Sequence, residues 1–390
     1  MIRTGIAGLG AAGRAFVPAV QAHPAFALAA IADPSLSIRA EFGALEGVAT
    51  YPDLDAMLAD AALDLVCIAT PTPMHAEQAR AALAAGKHVL LEKPMATSIA
   101  EALGVIEAAE RAGKVLLVGH SHSYDAPIAR MRAIVESGEL GEPRMANTWY
   151  FTDWVYRPRR PEELEVEKGG GVTFRQGAHQ FDILRLLCGG RARSVRAKTF
   201  DLDPARSTVG AHVAFVDFAD GAAATAAYSG YGNLPGAELT FGIGEWGFPQ
   251  DAAKPRAMPT TPATPEEELR AKAERAKNAI PPSAPHPPFF GLTLLACERG
   301  GIRQTPEGLA IHTRDGVTTV PVPVDRSPRD LLLDELHDAI AGTRAPVHDG
   351  RWALATLELC IAALESSRLG REVELEHQVP LPRRVLEGLR

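Results

Sequence analysis

The chain is poor in cysteine and aromatic residues, carries no excess of positive charge, and has no long apolar run. Its four cysteines, Cys67, Cys188, Cys297 and Cys360, are scattered over 390 residues with no CxxC or zinc-type spacing. A chain this long needs no covalent staples, so reduced thiols in a cytoplasmic enzyme are expected. The net charge of −8 argues against nucleic acid or an anionic membrane as partner. No apolar stretch approaches the ~18–20 residues that span a bilayer. A strand pattern begins almost at Met1, where a secretory leader would need a basic start and an apolar stretch. With 46% hydrophobic and 23% charged residues the composition is that of an ordinary globular protein, which excludes a largely disordered chain. At roughly 100–200 residues per domain, two or three domains are expected.

Short apolar runs and alanine-rich helical patterns alternate through the first 120 residues. Strands are expected at Thr4–Gly8, Ala27–Ala32, Asp64–Ala69, His88–Leu91 and Val115–Val118. Helices are expected near Gly13–Ala22, Asp53–Asp60, Met74–Ala85 and Ile99–Ala112, with Gly86 and Gly113 placed for left-handed C-caps. Such alternation implies an α/β parallel sheet covered on both faces. Beyond residue 145, strand-like runs arrive one after another: Pro143–Trp154, Ser194–Phe200, Gly210–Phe218, Ala222–Tyr231, Ala237–Ile243 and Gly308–Val322. Asp220-Gly221 is a hairpin signal. An α+β domain with an open, mostly antiparallel β-sheet follows, so the domains are expected at 1–122 and 123–390. Late helices are expected at Arg329–Ala341 and Trp352–Arg368, the latter apolar enough to pack across both domains. Residues 247–288 hold ten prolines in forty-two positions. Within them Thr264-Pro265-Glu266-Glu267 is a capping box opening a helix to about Asn278, with Glu266/Arg270 and Glu268/Lys272 at i,i+4. This excursion reads as solvated, or else as a lid or subunit contact.

Gly8-Leu9-Gly10-Ala11-Ala12-Gly13 follows a strand and opens a helix. Gly8 permits the tight turn, Gly10 lets backbone approach a pyrophosphate, and Gly13 allows close helix–strand packing. The helix N-terminus, at Ala11 and Ala12, offers amides to phosphate charge. Asp33, twenty positions past Gly13, would accept from ribose hydroxyls and repel a 2′-phosphate. These features describe a Rossmann dinucleotide-binding domain and favour NAD over NADP. Arg39 could soften that preference but reads as a helix-surface residue. Thr70 and Pro71 end the next strand at the ligand-facing edge. His75, at the following helix start, either faces the cofactor or makes a helix-start hydrogen bond.

Leu91-Glu92-Lys93-Pro94 ends another strand on that edge. A lysine there can hydrogen-bond a substrate hydroxyl and stabilise developing alkoxide. With the glycine turn, this motif resembles the glucose–fructose oxidoreductase / inositol dehydrogenase / MocA (Gfo/Idh/MocA) family. Gly169-Gly170-Gly171-Val172-Thr173-Phe174-Arg175-Gln176-Gly177-Ala178-His179-Gln180-Phe181-Asp182 is similar to that family's GGGxxxDxGxHxxD segment. The resemblance implies that His179 is the general acid/base and that Lys93 assists it; imidazole suits the task because its pKa lies near working pH. A structural helix histidine is the other reading. Asp182, one helical turn on, would orient neighbours at the substrate site.

Arg175 stands where the family usually carries Asp. A guanidinium there would pair bidentately with a carboxylate, or form a structural ion pair. Thr152-Asp153-Trp154-Val155-Tyr156-Arg157-Pro158-Arg159-Arg160 adds an aromatic wall at Trp154 and Tyr156 and candidate anion ligands at Arg157, Arg159 and Arg160, solvated arginines being the other reading. Together with Val118-Gly119-His120-Ser121-His122-Ser123-Tyr124 and His348-Asp349-Gly350-Arg351-Trp352, these stretches resemble a branch of the family, the bacterial 4,5-dihydro-4,5-dihydroxyphthalate dehydrogenases. His122 and Tyr124 are then pocket-lining residues. His120 and His122 lack a third metal ligand of suitable spacing, so no metal is expected. No G-x-S-x-G elbow supports hydrolase chemistry. The implied activity is NAD-dependent oxidation of a secondary alcohol in a small carboxylated cyclic diol. A sugar or inositol polyol dehydrogenase is the alternative. A non-catalytic NAD-sensing regulator is disfavoured by the presence of both Lys93 and His179. The resemblance also implies a homodimer or homotetramer.

Overall fold

Buried strands of Val, Ile, Leu and Ala build the first half, as their composition requires. The computed structural model describes residues 1–60, 62–251, 264–277 and 284–382. The elements up to residue 119 are β1 (Ile2–Ala7), α1 (Ala11–Ala22), β2 (Phe26–Ala32), α2 (Leu36–Phe42), β3 (Ala49–Tyr51), α3 (Leu54–Asp60), β4 (Leu65–Ile68), α4 (His75–Ala84), β5 (His88–Glu92), α5 (Ile99–Ala112) and β6 (Leu116–Gly119). The six strands pair in parallel in the order β3-β2-β1-β4-β5-β6. Successive side chains feed opposite cores, as the pleat demands. Leu65 and Cys67 join Ile6, Phe16 and Ile31 on one face, while Val66 and Ile68 join Val89, Leu91 and Val118 on the other. Ser98 caps α5 by accepting from the Glu101 amide, and Gly113 ends it at φ +59°. The short α2 and β3 were not expected; neither is long enough to show a clear hydrophobic period.

The second half comprises α6 (Ala126–Glu136), β7 (Pro143–Phe151), α7 (Ala178–Leu187), β8 (Ala192–Phe200), β9 (Ala211–Phe218), β10 (Ala223–Ser229), α8 (Pro265–Ala276), β11 (Leu292–Cys297), β12 (Gly300–Thr305), β13 (Gly308–Thr313), β14 (Gly316–Pro321), α9 (Pro328–Ala341), α10 (Gly350–Leu369) and β15 (Val373–Glu374). Nine strands form an open sheet in the order β14-β13-β12-β11-β7-β10-β9-β8-β15. Only the β7–β10 pair is parallel. β9 and β10 form the hairpin signalled by Asp220-Gly221, with Gly221 at φ +84°.

Two strand readings need correction. Ala237–Ile243 is not a strand: Gly236–Thr240 is a 3-10 turn, and Phe241 at φ +59° breaks any extended run. Gly236 is pressed so closely on β7 that a Cβ there would stand 2.2 Å from the Phe151 carbonyl oxygen. Gly308–Val322 is two strands, folded back on each other around Gly316. Strands β11 and β12 went unrecognised because threonine, glycine and arginine interrupt their apolar pattern.

The C-terminal part returns to the dinucleotide half. Leu332, Leu333 and Leu336 of α9 enter the core that holds Phe16 and Leu117. The His348 carbonyl accepts from the Val118 amide at 2.9 Å, covering the β6 edge. α10 packs against α5 on one side and α7 and β8 on the other, with Trp352 buried. Of the proline-rich excursion, residues 252–263 and 278–283 lie outside the described residues, including the expected helix end at Asn278. Its helix is α8, opened by the expected capping box at Thr264. No described helix is long and apolar enough to cross a membrane.

Candidate active site

The glycine turn at the end of β1 meets three distinct demands. A Cβ on Gly8, at φ +86°, would lie 2.7 Å from the Ala69 carbonyl oxygen, and one on Gly13 would lie 1.9 Å from that of Gly8. A Cβ on Gly10 would meet nothing within 4 Å. The first and third glycines therefore serve packing, and the second leaves open space at the start of α1, where Gly10 makes no side-chain cap and the Ala11 and Ala12 turn begins. Asp33 lies beside this turn, its carboxylate accepting from the Leu9 and Ser35 amides, each at 2.9 Å. This cradle fits a dinucleotide: open backbone for phosphate, and a fixed carboxylate at the end of the second strand for ribose. Arg39 lies on the surface of α2, as read. Its guanidinium donates to the Asp33 carbonyl oxygen at 2.6 Å.

At the ends of β4 and β5 the chain is braced from behind. Thr70 donates its hydroxyl proton to Gln78 at 2.6 Å, and Pro71 leads into α4. His75 is buried, with its ring nitrogens 2.7 Å from the Pro94 carbonyl oxygen and 2.8 Å from that of Thr70. Burial brings its pKa down to about 4, against those two carbonyls, which raise it. His75 is thus a strut joining the two strand ends. A neutral ring has one N–H to donate, so one of these two carbonyls accepts it.

Lys93 follows Glu92 at the end of β5, its ammonium donating to the Arg175 carbonyl oxygen at 2.6 Å. That carbonyl belongs to a π-helical turn, Thr173–Gly177, just before α7. Burial and then the Arg175 charge lower the Lys93 pKa to about 8, while burial raises that of Glu92. His179, in the first turn of α7, is 5% exposed, and its Nδ1 has no hydrogen-bond partner among the described residues. Burial, then Lys93 and His122, hold its pKa well below the usual value of 6.5. His179 is therefore a neutral imidazole beside a cationic lysine.

His122 stands edge-on to His179, ring centroids 4.6 Å apart, and stacks on Phe290 at 4.2 Å. Its Nδ1 is 2.9 Å from Asp125 Oδ2 and its Nε2 is 3.5 Å from Glu245 Oε1. Burial opposes its charge, but the two carboxylates lift its pKa to about 9. Next to this unit opens a cavity of about 510 Å³, lined by Tyr150, Asp153, Arg157, Glu245, Trp246 and Arg275 among others. Among the described residues no three His, Cys, Asp or Glu side chains gather to hold a metal.

Asp182, Tyr124 and Trp154, expected at the substrate, are each engaged by protein neighbours. Asp182 is fully buried and accepts from the Trp352 indole at 2.5 Å and from the Ser123 hydroxyl, with His348 at 3.3 Å. Burial opposes its ionisation, but His120 and His348 hold its carboxyl below the usual range. Tyr124 packs in the core against His348, ring centroids 4.7 Å apart. Trp154 is buried under Arg159, whose guanidinium lies 4.0 Å from the ring. Arg157 does line the cavity, held by Asp153 at 2.7 Å. Arg175 is engaged by the Thr72 hydroxyl at 2.7 Å and by Glu163 at 3.1 Å.

Glu163 went unnoticed in the sequence. Its buried carboxylate gathers Arg175, Lys272 of α8 and, at 4.0 Å, Arg159. Glu268 of α8 pairs with Arg206 and accepts from the Arg159 amide at 2.8 Å. α8 has no buried residue, as a solvated helix would, but charge ties it to the rest of the fold: Lys272 goes to Glu163 and Glu268 to Arg206 instead of to each other. No periodic signal marks Glu163, Glu245, Trp246 or Arg275; only the partners across the fold give them meaning.

Comparison with known proteins agrees with this geometry. Residues 2–120 match the oxidoreductase family with an NAD-binding Rossmann fold, and residues 128–240 match the GFO/IDH/MocA C-terminal domain. A 1-carboxy-3-chloro-3,4-dihydroxycyclohexa-1,5-diene dehydrogenase of Comamonas testosteroni is 36% identical over 379 residues, covering 94% of this chain and 95% of that protein. The chain belongs to the GFO/IDH/MocA oxidoreductase family. Another member, the inositol 2-dehydrogenase of Streptomyces avermitilis, is 40% identical, but over only 30% of this chain and 35% of its own. A crystal structure from Bordetella bronchiseptica RB50 superposes with a TM-score of 0.86 at 38% identity, covering 96% of this chain and all of that one. An Agrobacterium radiobacter oxidoreductase solved with NAD+ and L-tartaric acid shares the fold, with a TM-score of 0.74 at 20% identity over 96% of this chain and 98% of that one. As a GFO/IDH/MocA protein the chain is a dehydrogenase-type oxidoreductase whose cofactor is NAD.

Proposed function

We propose that this protein oxidises a secondary alcohol of a small carboxylated cyclic diol with NAD. The observation that carries the reading is that Lys93, at the carboxyl end of β5, is held by the Arg175 carbonyl in the turn that leads into α7 and His179, in a chain alike over nearly its whole length to a carboxylated dihydrodiol dehydrogenase. Gly8, Gly10, Gly13 and Asp33 would hold the dinucleotide, and NAD, when bound, supplies the hydride acceptor. Lys93 hydrogen-bonds the substrate oxygen and favours the developing alkoxide. His179 accepts the hydroxyl proton; burial beside Lys93 keeps it unprotonated at neutral pH but makes it a weaker base than the imidazole near working pH that the sequence implied. Oxidising one alcohol of a cyclic diene diol gives a ketone that tautomerises to a catechol, which makes the step effectively one-way.

A polyol dehydrogenase is the second reading. It is favoured by Arg175, whose guanidinium already has Glu163 and Thr72 as partners rather than standing open to a carboxylate. The outward face of the large sheet exposes Met145 and Trp149 of β7 and Val213 and Phe215 of β9, on either side of β10, which supports a homo-oligomer paired through that face. The four free thiols suit a reducing, cytoplasmic setting. His179→Ala tests the chemistry. It should lower kcat by about 10²–10⁴-fold with NAD affinity unchanged, the usual range for losing a general base. Near-full activity would remove His179 from catalysis.

A further inference from the structure

His120 follows β6 at the carboxyl edge of the dinucleotide sheet. Glu92 of β5 is in register with Gly119 of β6, so Lys93 and His120 emerge side by side from neighbouring parallel strands. Such strands run about 4.8 Å apart. The His120 side chain is 2% exposed, and neither of its ring nitrogens has a hydrogen-bond partner among the described residues. A buried donor and acceptor left unmet cost free energy, and each such group calls for an explanation. Nδ1 of His179 shows the same feature. Burial first, and then Lys93, His122 and His120, depress the His179 pKa, which puts these side chains in one buried neighbourhood.

The charged groups around His120 are Asp182, His348, Lys93 and Arg185. Three of them have protein partners. Asp182 accepts from Ser123 and Trp352 and faces His348, which also faces Glu335. Arg185 donates to the Gly190 and Trp352 carbonyls and to the Thr356 hydroxyl. Lys93 differs: its ammonium carries three protons and donates to one acceptor among the described residues, the Arg175 carbonyl. Burial lowers the His120 pKa to about 4, against the pull of Asp182, so the ring is neutral and offers one N–H and one bare nitrogen. An alcohol hydroxyl is its complement, since it too both donates and accepts.

We infer that His120 hydrogen-bonds the second hydroxyl of a vicinal diol, while Lys93 and His179 engage the hydroxyl that is oxidised. The inference rests on the diol reading above, but it needs neither the carboxylate nor the unsaturated ring. Adjacent hydroxyls point from neighbouring carbons, and side chains from neighbouring strand ends can reach one each. His120 then makes the site selective for a diol over a lone alcohol, because a substrate without the second hydroxyl leaves the imidazole buried and unmet.

The test uses the full chain with NAD present and compares wild type with His120→Phe and His120→Gln. Calorimetry measures binding of 3,4-dihydroxybenzoate, a catechol carboxylate of the product type, and of 3-hydroxybenzoate and 4-hydroxybenzoate, which each lack one hydroxyl. Wild type should bind the dihydroxy compound about 10- to 100-fold more tightly than either monohydroxy one. His120→Phe should erase the preference over one of the two, the compound lacking the hydroxyl that faces residue 120, and keep the preference over the other. His120→Gln retains a donor and an acceptor and should recover part of the loss. Comparing ligands within one variant cancels any general loss of stability. A benzoate-binding wild type without the preference, a preference over both that survives in His120→Phe, or equal losses of all three ligands would each overturn the inference. Turnover separates the two readings. If wild type binds none of the benzoates but oxidises myo-inositol, the carboxylated-diol reading falls. A 10- to 100-fold lower kcat/KM for myo-inositol in His120→Phe then keeps the inference, and an unchanged value overturns it. Turnover of a carboxylated cyclic diol with equal kcat/KM in wild type and His120→Phe keeps the proposed function and overturns the inference. Neither binding nor turnover of any of these compounds by wild type overturns both.

Discussion

Replacing Glu163 with glutamine should destabilise the protein and loosen the helix over the active site. The carboxylate is 6% exposed and faces three cations: Arg175 at 3.1 Å, Lys272, and Arg159 at 4.0 Å. Removing one member of a buried ion pair costs about 3–5 kcal/mol, because the partner's charge stays buried and unmatched. The Arg175 and Lys272 side chains keep 23% and 29% of their surface, so water compensates part of this. We expect about 2–4 kcal/mol after that discount. With an unfolding entropy of about 2.1 cal/mol/K per residue, a chain of 390 residues melting as one unit should lose roughly 2–5 °C in Tm. The pH dependence has a definite sign. Burial raises the Glu163 pKa, but the three cations lower it further, so its folded value lies below its ordinary one. Its stabilisation is complete above the ordinary carboxylate range and fades as the pH falls beneath it. Differential scanning calorimetry of wild type and Glu163→Gln between pH 4 and 8 checks both points. A constant Tm gap from about pH 7 to about 5 that narrows on further acidification is expected. Equal melting temperatures at pH 7 would refute the view that Glu163 is the hub holding α8.

Two further outcomes follow from the same geometry. Lys93 loses its proton near pH 8, so kcat/KM for alcohol oxidation should fall above that pH, and Lys93→Arg should move the falling limb upward while lowering the rate; a limb unmoved in that variant would assign it to another group. Gly10→Val should abolish NAD binding with an unchanged Tm, since its new side chain enters open space, whereas Gly13→Ala should lower Tm by driving a Cβ to 1.9 Å from the Gly8 oxygen. Intact NAD binding in Gly10→Val would move the phosphate site elsewhere.

Much of the scaffold was legible because its signals are local. A glycine turn between a strand and a helix, apolar strands of four to seven residues, and serine and glycine caps each have a physical cause within a few positions. Helix α5 keeps its expected limits for that reason, with Ser98 before it and Gly113 after it. What stayed hidden depends on distant partners. His75 could not be read as a strut without Thr70 and Pro94 brought together around it. Trp154 sits beside three arginines in sequence, yet its ring is buried beneath only Arg159, and the cavity takes Trp246 instead. Arg175 was the clearest departure from the family's motif, and the charge it carries is met by Glu163, twelve residues earlier, in a stretch with no periodic signal. A charge reversal in sequence announces that a counter-charge exists, but only the fold says whether substrate or protein supplies it.

The most direct test is NADH formation at about 340 nm by the purified protein with NAD and a carboxylated cyclic diene diol, beside a neutral diene diol, myo-inositol and a sugar panel. The account predicts turnover of the carboxylated diol, with a kcat/KM well above that of the neutral diol and of every polyol. Turnover of a polyol with silence on the carboxylated diol would contradict it, leaving Lys93 and His179 in place but assigning them another substrate.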